Sequence, residues 1–247
     1  MSNESALARS TVLAPLGRGG RAEEVVQRIS ESISLGLLVD REQLPSETDL
    51  SAMLGVSTVT LREALASLRQ QGLIETRRGR NGGSFVRSAA GPTKAALERR
   101  LAAFTVSQLR DAGDELTAIS GAAARLASSR ASNDSIRRLS VLAQRLLTAN
   151  GAAQRARTDS RFHIEVAVAA TSERLTRHEA ALQAELGSLL WWPDSTDLQV
   201  EQAVAEHVAI AQAIHREDAA LARDLAQQHV NGNTQRLIER RIRLGER

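Results

Sequence analysis

The spacing of apolar residues changes character along the chain. Near the N-terminus, Val25, Ile29 and Ile33 recur about one helical turn apart and predict an amphipathic helix. Two shorter helical patterns follow, the first closed by Gly55 and the second by Gly72, and predict two helices joined by a tight turn. The segments "LIETR" and "SFVR" flank a glycine-rich turn, which is typical of a β-hairpin. This order of elements predicts a winged helix-turn-helix.

Beyond this hairpin the apolar spacing becomes helical throughout. Small and polar residues with a glycine and a proline occupy 88–94 and predict a linker. The pattern over 95–247 breaks near "SSRASND", "WWPDST" and "HRED", with only helical segments between the breaks. We therefore predict a mainly α-helical protein. Its parts are a disordered arm over 1–20, a winged helix-turn-helix with a β-hairpin wing over 21–87, and an all-α bundle of six or seven helices over 95–247.

Composition indicates the cellular compartment and the class of binding partner that we expect. The chain has no cysteine, which excludes disulfides and thiolate metal sites. It shows no signal segment and no apolar run near the roughly 20 residues that span a bilayer, so we expect a cytoplasmic protein with no membrane partner. The net charge is only +3, but 55–90 carries six arginines against two glutamates. A local basic excess of this kind is typical of a nucleic-acid surface.

The second helix of a helix-turn-helix reads DNA with its first residues. Hydroxyl groups there can bind phosphates or bases, and Val59 can meet a thymine methyl group. Arg62 can fork onto a guanine or a phosphate, and we expect its neighbour Glu63 to orient an arginine. Glycines at the hairpin tip allow close backbone approach, and arginines favour the minor groove. The candidate DNA contacts are Ser46, Ser57, Thr58, Val59, Thr60, Arg62, Arg78, Gly79, Arg80, Asn81 and Gly82.

An alternative assigns the winged helix to protein contacts. In that case Ser57 and Thr58 would act only as caps of the helix. We favour DNA binding because the hairpin, its basic tip and the hydroxyl-rich helix start occur together.

Four ionisable side chains face inward on the predicted bundle helices. Asp159 and His163 lie one turn apart on a stripe that continues with Val166, and His207 and His229 lie on apolar rows of two later helices. A buried carboxylate is costly unless it is paired or bound to a metal. One carboxylate and three imidazoles with open positions suit zinc, nickel, manganese or iron(II). A buried hydrogen-bond network without a metal is the alternative.

The segment 44–86, "LPSETDLSAMLGVSTVTLREALASLRQQGLIETRRGRNGGSFV", resembles the DNA-binding domain of GntR-type bacterial repressors. The matching features are the Leu-Pro-Ser-Glu entry, Gly-Val-Ser, Arg-Glu-Ala-Leu, Gly-Leu-Ile and the glycine-rich wing. The family often has arginine where this chain has Thr48 and Thr58, and proline where it has Thr60. Two contacts that often grip DNA are therefore altered.

The helical part resembles the FCD ligand-binding domain of the FadR subgroup through "AARLAS", "DSRFH" and "EHVAIAQAI". In metal-binding members the ligands come from Asp-x-x-x-His and two later histidines. The corresponding residues here are Asp159, His163, His207 and His229. Many members also carry an arginine and a glutamate where this chain has Leu116 and Ser120. If that arginine grips the effector's carboxylate in the family, it is missing here, and the open positions of the metal, or Arg155 or Arg157, would take over the anchoring. We take Arg155 and His178 as candidate effector contacts.

These features predict a homodimeric transcription factor, most simply a repressor, that binds a pseudo-palindromic operator in double-stranded DNA. A divalent metal, with zinc preferred over nickel, manganese and iron, and a small effector such as an organic acid would control its DNA affinity. Two alternatives stay open: a metal-dependent enzyme that activates water, and a direct metal sensor. We favour the regulator because Glu165, two residues past His163, points away from the site and the wing has no role in an enzyme.

Overall fold

A computed structural model describes residues 15–16, 21–79, 82–87 and 91–246. The chain divides into two compact units, Met1–Ala90 and Gly91–Arg247. Most of the predicted arm, the candidate DNA contacts Arg80 and Asn81, and the first part of the predicted linker lie outside the described residues. Within the described ranges no helix is long and apolar enough to cross a membrane.

The first unit contains the predicted order of helices and strands. Its elements are α1 (Ala22–Ser34), α2 (Glu47–Leu54), α3 (Thr58–Gln70), β1 (Ile74–Arg77) and β2 (Gly83–Val86). The two strands pair antiparallel, with Ile74 opposite Val86. Apolar side chains from all three helices form one buried core that includes Ile29, Leu54 and Leu65.

The turn between α2 and α3 is fixed by local chemistry. Gly55 ends α2 in the left-handed region at φ 67°, a conformation that a glycine adopts without steric cost. Ser57 then caps α3, because its hydroxyl accepts the Thr60 backbone N–H at 3.1 Å. This geometry presents the first turn of α3 at the surface of the unit.

The second unit is all helical in the part that the structure describes. Its helices are α4 (Lys94–Ala102), α5 (Val106–Arg130), α6 (Asn133–Arg145), α7 (Gly151–Ala169), α8 (Glu173–Leu190), α9 (Asp197–His215) and α10 (Ala219–Gly245). A short 3-10 turn, Leu146–Thr148, follows α6. The predicted fold class, a winged helix-turn-helix followed by a helical bundle, is confirmed.

Helix α7 is enclosed by its neighbours. It packs against α5, α6 and α8, while α5 packs along α10. The approach of α5 to α10 depends on small residues: a Cβ atom on Gly113 would lie 2.3 Å from Thr234, and one on Gly121 would lie 2.7 Å from Gln227. This packing buries the face of α7 that carries Asp159 and His163.

Candidate metal centre and nucleic-acid interface

The four predicted metal ligands come together inside the helical unit. Asp159 and His163 lie on α7, His207 on α9 and His229 on α10. One candidate ligand atom from each residue lies within 4.8 Å of those of the other three. All four side chains are buried, and His207 has no exposed surface. The cluster thus joins three helices at one point.

Several polar atoms of this cluster lack hydrogen-bond partners. Both ring nitrogens of His207 lack a hydrogen-bond partner within the described residues, and so does Oδ2 of Asp159. His207 Nε2 lies 3.5 Å from Asp159 Oδ1, which is too long for a strong hydrogen bond. An unsatisfied buried polar group costs about 1–3 kcal/mol. These donor atoms fit a bound cation better than they fit a hydrogen-bond network.

The electrostatics of the cluster also suit a cation. Burial lowers the pKa of His163 and that of His207 well below the ordinary histidine value, so both imidazoles are neutral and hold free lone pairs. Burial raises the pKa of Asp159 to about 6, against the opposing effect of His229. The Phe162 ring stacks on His207 with centroids 4.1 Å apart and forms an apolar wall. A divalent ion would offset the cost of the buried carboxylate.

His229 is oriented by a carboxylate that the sequence did not reveal. Its Nδ1 lies 2.5 Å from Glu206 Oε2, and its Nε2 lies 3.1 Å from Asn233 Nδ2. We assign the proton to Nδ1, because metal-binding histidines commonly donate their second nitrogen to a carboxylate. Nε2 is then the ligand atom. The position of Glu206 directly before His207 was the only sequence signal for this role.

The two predicted effector contacts lie in different surroundings. Arg155 is largely buried, and it donates to the Ser195 carbonyl at 3.0 Å and to Asp197 at 3.3 Å. His178 is 56% exposed and lies 3.8 Å from Glu115. His178 therefore does not join the buried cluster, and an effector role for either residue stays a prediction.

Glu179 is a second buried carboxyl group, and sequence reasoning missed it. The Ser120 hydroxyl donates to it at 2.8 Å, and the Gln183 amide donates at 3.0 Å. Burial raises the pKa of Glu179 to about 7, while these two hydrogen bonds lower it. Ser120 thus contacts a glutamate supplied by α8.

The first turn of α3 is accessible. Val59 is 63% exposed, and Thr58 beside it is also exposed. Arg62 Nε donates to Glu47 Oε2 at 2.7 Å. A residue of α2 thus holds Arg62, and the expectation that Glu63 orients an arginine stays a prediction. The sequence distance between positions 47 and 62 concealed this pair.

The wing is a two-stranded hairpin with an exposed basic face. Arg77 lies over the Phe85 ring, with its guanidinium carbon 4.3 Å from the centroid, and Arg78 and Gly79 at the tip are exposed. The Gln43 side-chain amide donates to the Gly82 carbonyl at 3.0 Å and anchors the base of the tip. DNA contacts by these residues, and by Arg80 and Asn81, stay predictions.

Two family comparisons agree with this architecture. Residues 21–86 match the family described as bacterial regulatory proteins, gntR family, and residues 115–232 match the FCD domain. RmpR of Mycobacterium gastri, named as an HTH-type transcriptional regulator, is 42% identical over 227 residues, which cover 91% of this chain and 83% of that protein. The chain belongs to the GntR family. The resemblance inferred from the winged helix and the FCD motifs is confirmed.

Other relatives match mainly in the DNA-binding part. Mce2R of Mycobacterium tuberculosis, also named as an HTH-type transcriptional regulator, is 42% identical over 67 residues, or 27% of this chain and 28% of that protein. The HTH-type repressor NanR of Salmonella newport is 36% identical over 75 residues, or 30% of this chain and 29% of that protein. These names are those of regulators, so the predicted regulatory function is confirmed and an enzyme is not favoured.

Solved structures share the fold. Escherichia coli McbR/YncC matches with a TM-score of 0.54 at 16% identity, covering 89% of this chain and 97% of that one. A GntR regulator structure from Rhodococcus sp. RHA1 matches with a TM-score of 0.50 at 17% identity, covering 88% and 97%. At these identities the likeness supports the architecture alone.

Proposed function

We propose that this GntR-family regulator is a homodimeric repressor whose affinity for a pseudo-palindromic operator changes when a small carboxylate metabolite binds beside a divalent metal. The observation that carries the proposal is the buried cluster of three histidines and one aspartate, several of whose donor atoms have no protein partner. The group lies within the residues that match the FCD domain, which supports a signal-receiving role for the helical unit.

The DNA half of the proposal rests on the first turn of α3 and the wing. Thr58 and Val59 are exposed there, and Arg62 is oriented by Glu47. A recognition helix of this kind covers one half-site, so two chains would read the two halves of a pseudo-palindrome. Homodimerisation follows from that geometry as part of the proposal.

The metal half rests on the chemistry of the donor atoms. Asp159, His163, His207 and His229 would hold the ion, with zinc the first candidate and nickel, manganese or iron(II) the others. When bound, the ion would supply a Lewis-acidic point for a carboxylate oxygen of the effector. Burial excludes bulk water, which strengthens that interaction. Effector binding would then favour one of two populations that differ in DNA affinity.

The metal half is tested by measuring the metal content of protein purified without chelator. We expect roughly one ion per chain, because four ligands normally complete the protein's share of one such site. His207→Ala should lose most of the ion, whereas His215→Ala should keep it because His215 is an exposed residue at the end of α9. A metal-free wild type, or equal content in both variants, would show that the cluster does not hold an ion.

The DNA half is tested with a fluorescent fragment of the gene's own promoter region. Binding should weaken steeply as salt rises, because phosphate contacts release counterions. Small carboxylates added to the metal-loaded complex should then shift the affinity. Absence of salt-dependent binding would refute the DNA half. A response to metal alone, unchanged by any metabolite, would instead make the protein a direct metal sensor.

A further inference from the structure

A cavity of about 140 Å³ lies where the end of α8, the α8–α9 connection and α10 meet. We call it the arginine cavity. The lining residues that matter here are Trp191, Trp192, Asn233, Arg236, Arg240 and Arg243. None of them is one of the two candidate effector contacts, Arg155 and His178.

The arginine cavity has an excess of positive charge. Arg236, Arg240 and Arg243 recur at helical spacing on one face of α10, while Glu239 is the one acidic residue among the lining side chains. Arg240 is already engaged, since it donates to Asp194 at 3.0 Å and stacks 4.1 Å from the Trp192 ring centroid.

Arg236 differs from Arg240 in its partners. Among the described residues it forms no ion pair with a carboxylate, and it donates to the neutral Asn233 amide oxygen instead. Arg236 interacts with Asp159 and Glu206 only beyond ion-pair distance. Its half-buried guanidinium is therefore suited to a bound oxyanion, because its planar fork matches both carboxylate and phosphate.

Trp191 borders both the arginine cavity and the candidate metal centre. The side chain is only 5% exposed and lines the cavity, yet its indole N–H has no hydrogen-bond partner in the described chain. Its indole N–H lies beside the Asp159 carboxyl, in a geometry just short of a full hydrogen bond. One side chain therefore contacts both the cavity and a candidate metal ligand.

A second link runs through Asn233. Its amide oxygen accepts from Arg236, and its amide nitrogen faces His229 Nε2 at 3.1 Å. A metal bound at His229 Nε2 would compete with Asn233 for the same lone pair. Asn233 and Arg236 would then be released to bind a ligand in the cavity, so occupancy of the two sites is expected to be coupled.

We propose that the arginine cavity is an anion-binding subsite for the carboxylate or phosphate group of a small metabolite, with Arg236 and Arg243 as its cationic contacts. The identification of this ligand with the regulator's effector rests on the proposed function. The binding of the anion itself requires neither DNA nor a transcriptional response.

The chain's own tryptophans provide the measurement. It contains two Trp and no Tyr, and both Trp residues line the arginine cavity, so intrinsic fluorescence reports directly on this site. Full-length protein, metal-loaded and metal-free, is titrated with succinate and separately with inorganic phosphate at constant ionic strength. We expect a saturable change with one of the two anions, which identifies the oxyanion class, and tighter binding to the metal-loaded form.

Variants locate the binding. Arg236→Met should weaken binding roughly tenfold, the usual order for losing one charge-assisted contact. The anion affinity of Arg236→Lys should lie between that of Arg236→Met and that of the wild type, because lysine keeps the charge but lacks the planar guanidinium fork. Arg243→Met tests the exposed end of the site without disturbing the core. Arg174→Met, an exposed residue on α8, is the matched control and should bind like the wild type.

Two results would overturn the proposal: no saturable change with either anion at millimolar concentration, or equal affinities in the Arg236, Arg243 and Arg174 variants. DNA affinity measured on the same samples separates this inference from the proposed function. Anion binding that depends on Arg236 but leaves DNA affinity unchanged supports the subsite and contradicts its effector role. A metabolite response that survives Arg236→Met contradicts the subsite alone.

Discussion

At the scale of single residues, Glu179 shows how burial changes one carboxyl group. Its side chain is 1% exposed, and the two residues that donate hydrogen bonds to it, Ser120 and Gln183, are neutral. Burial raises its pKa from 4.5 to about 7. The folded protein therefore holds a proton on this carboxyl that the unfolded chain releases at lower pH, and charging the group costs stability.

The sign of this effect gives a pH prediction. Between pH 4.5 and about 7 the native state binds more protons at Glu179 than the unfolded state, so stability falls as pH rises through this window. Glu179→Gln should remove that loss. Above pH 7 its free energy of unfolding should exceed that of the wild type by about 1–3 kcal/mol. The two proteins should converge near pH 4.

Urea unfolding across this pH range measures the difference in free energy of unfolding between Glu179→Gln and the wild type. Glu201→Gln, at an exposed position on α9, is the control. If Glu179→Gln kept the pH profile of the wild type, the carboxyl would be ionised in the folded state.

At the scale of elements, α2 and α3 are connected through the pair of Glu47 and Arg62. Both side chains are largely exposed, at 46% and 67%. An exposed ion pair contributes only about 0–1 kcal/mol to stability, so its effect lies in the direction in which it holds the guanidinium. The pair thus orients a candidate DNA contact on the recognition helix from the helix before it.

Substitutions in this pair should separate stability from recognition. Arg62→Ala should weaken operator binding by roughly 1–3 kcal/mol, the usual range for an arginine contact to DNA. Glu47→Ala should weaken it less, and it should add nothing in the Arg62→Ala background. Fluorescence anisotropy with operator DNA gives the affinities. The free energy of unfolding, measured by thermal denaturation, should change by less than about 1 kcal/mol in either variant.

The control for this pair is Arg110→Ala, an exposed residue of the helical unit, which should bind DNA like the wild type. Equal effects of Glu47→Ala with and without Arg62 would mean that the ion pair plays no part in recognition.

At the scale of the whole molecule, the candidate metal centre joins elements that are distant in sequence. The four candidate ligands come from α7, α9 and α10, and α5 packs along α10 through Gly113 and Gly121. An ion bound only by the folded form stabilises it in proportion to the logarithm of the ratio of free metal to Kd. The helical unit should therefore depend on the ion for part of its stability.

Chelation should lower the Tm of the metal-loaded protein. At free metal 100 times Kd the stabilisation is about 2.7 kcal/mol, and this amount should disappear with the ion. Differential scanning calorimetry with and without chelator measures the shift, and restoring zinc should reverse it. His207→Ala should show no response to chelator, while His215→Ala should respond fully. If the chelator left the Tm of the wild type unchanged, the ion would not contribute to the stability of the fold.

Much of the fold follows from local patterns. Helical spacing places Asp159 and His163 on one face of α7 whatever the rest of the chain does, because residues four apart point the same way. The glycine at position 55 and the serine at position 57 mark the turn of the helix-turn-helix for equally local reasons. Helical spacing likewise places His207 and His229 on apolar rows of their own helices.

Only the tertiary structure decided the contacts between elements. The partner of His229 is Glu206 on another helix, the partner of Arg62 is Glu47, and Arg236 borders a cavity formed by α8 and α10. Sequence alone determined which residues share a helix face, since the geometry of one helix is constant. It could not determine which faces meet or in what register, because packing between helices far apart in the chain fixes those distances.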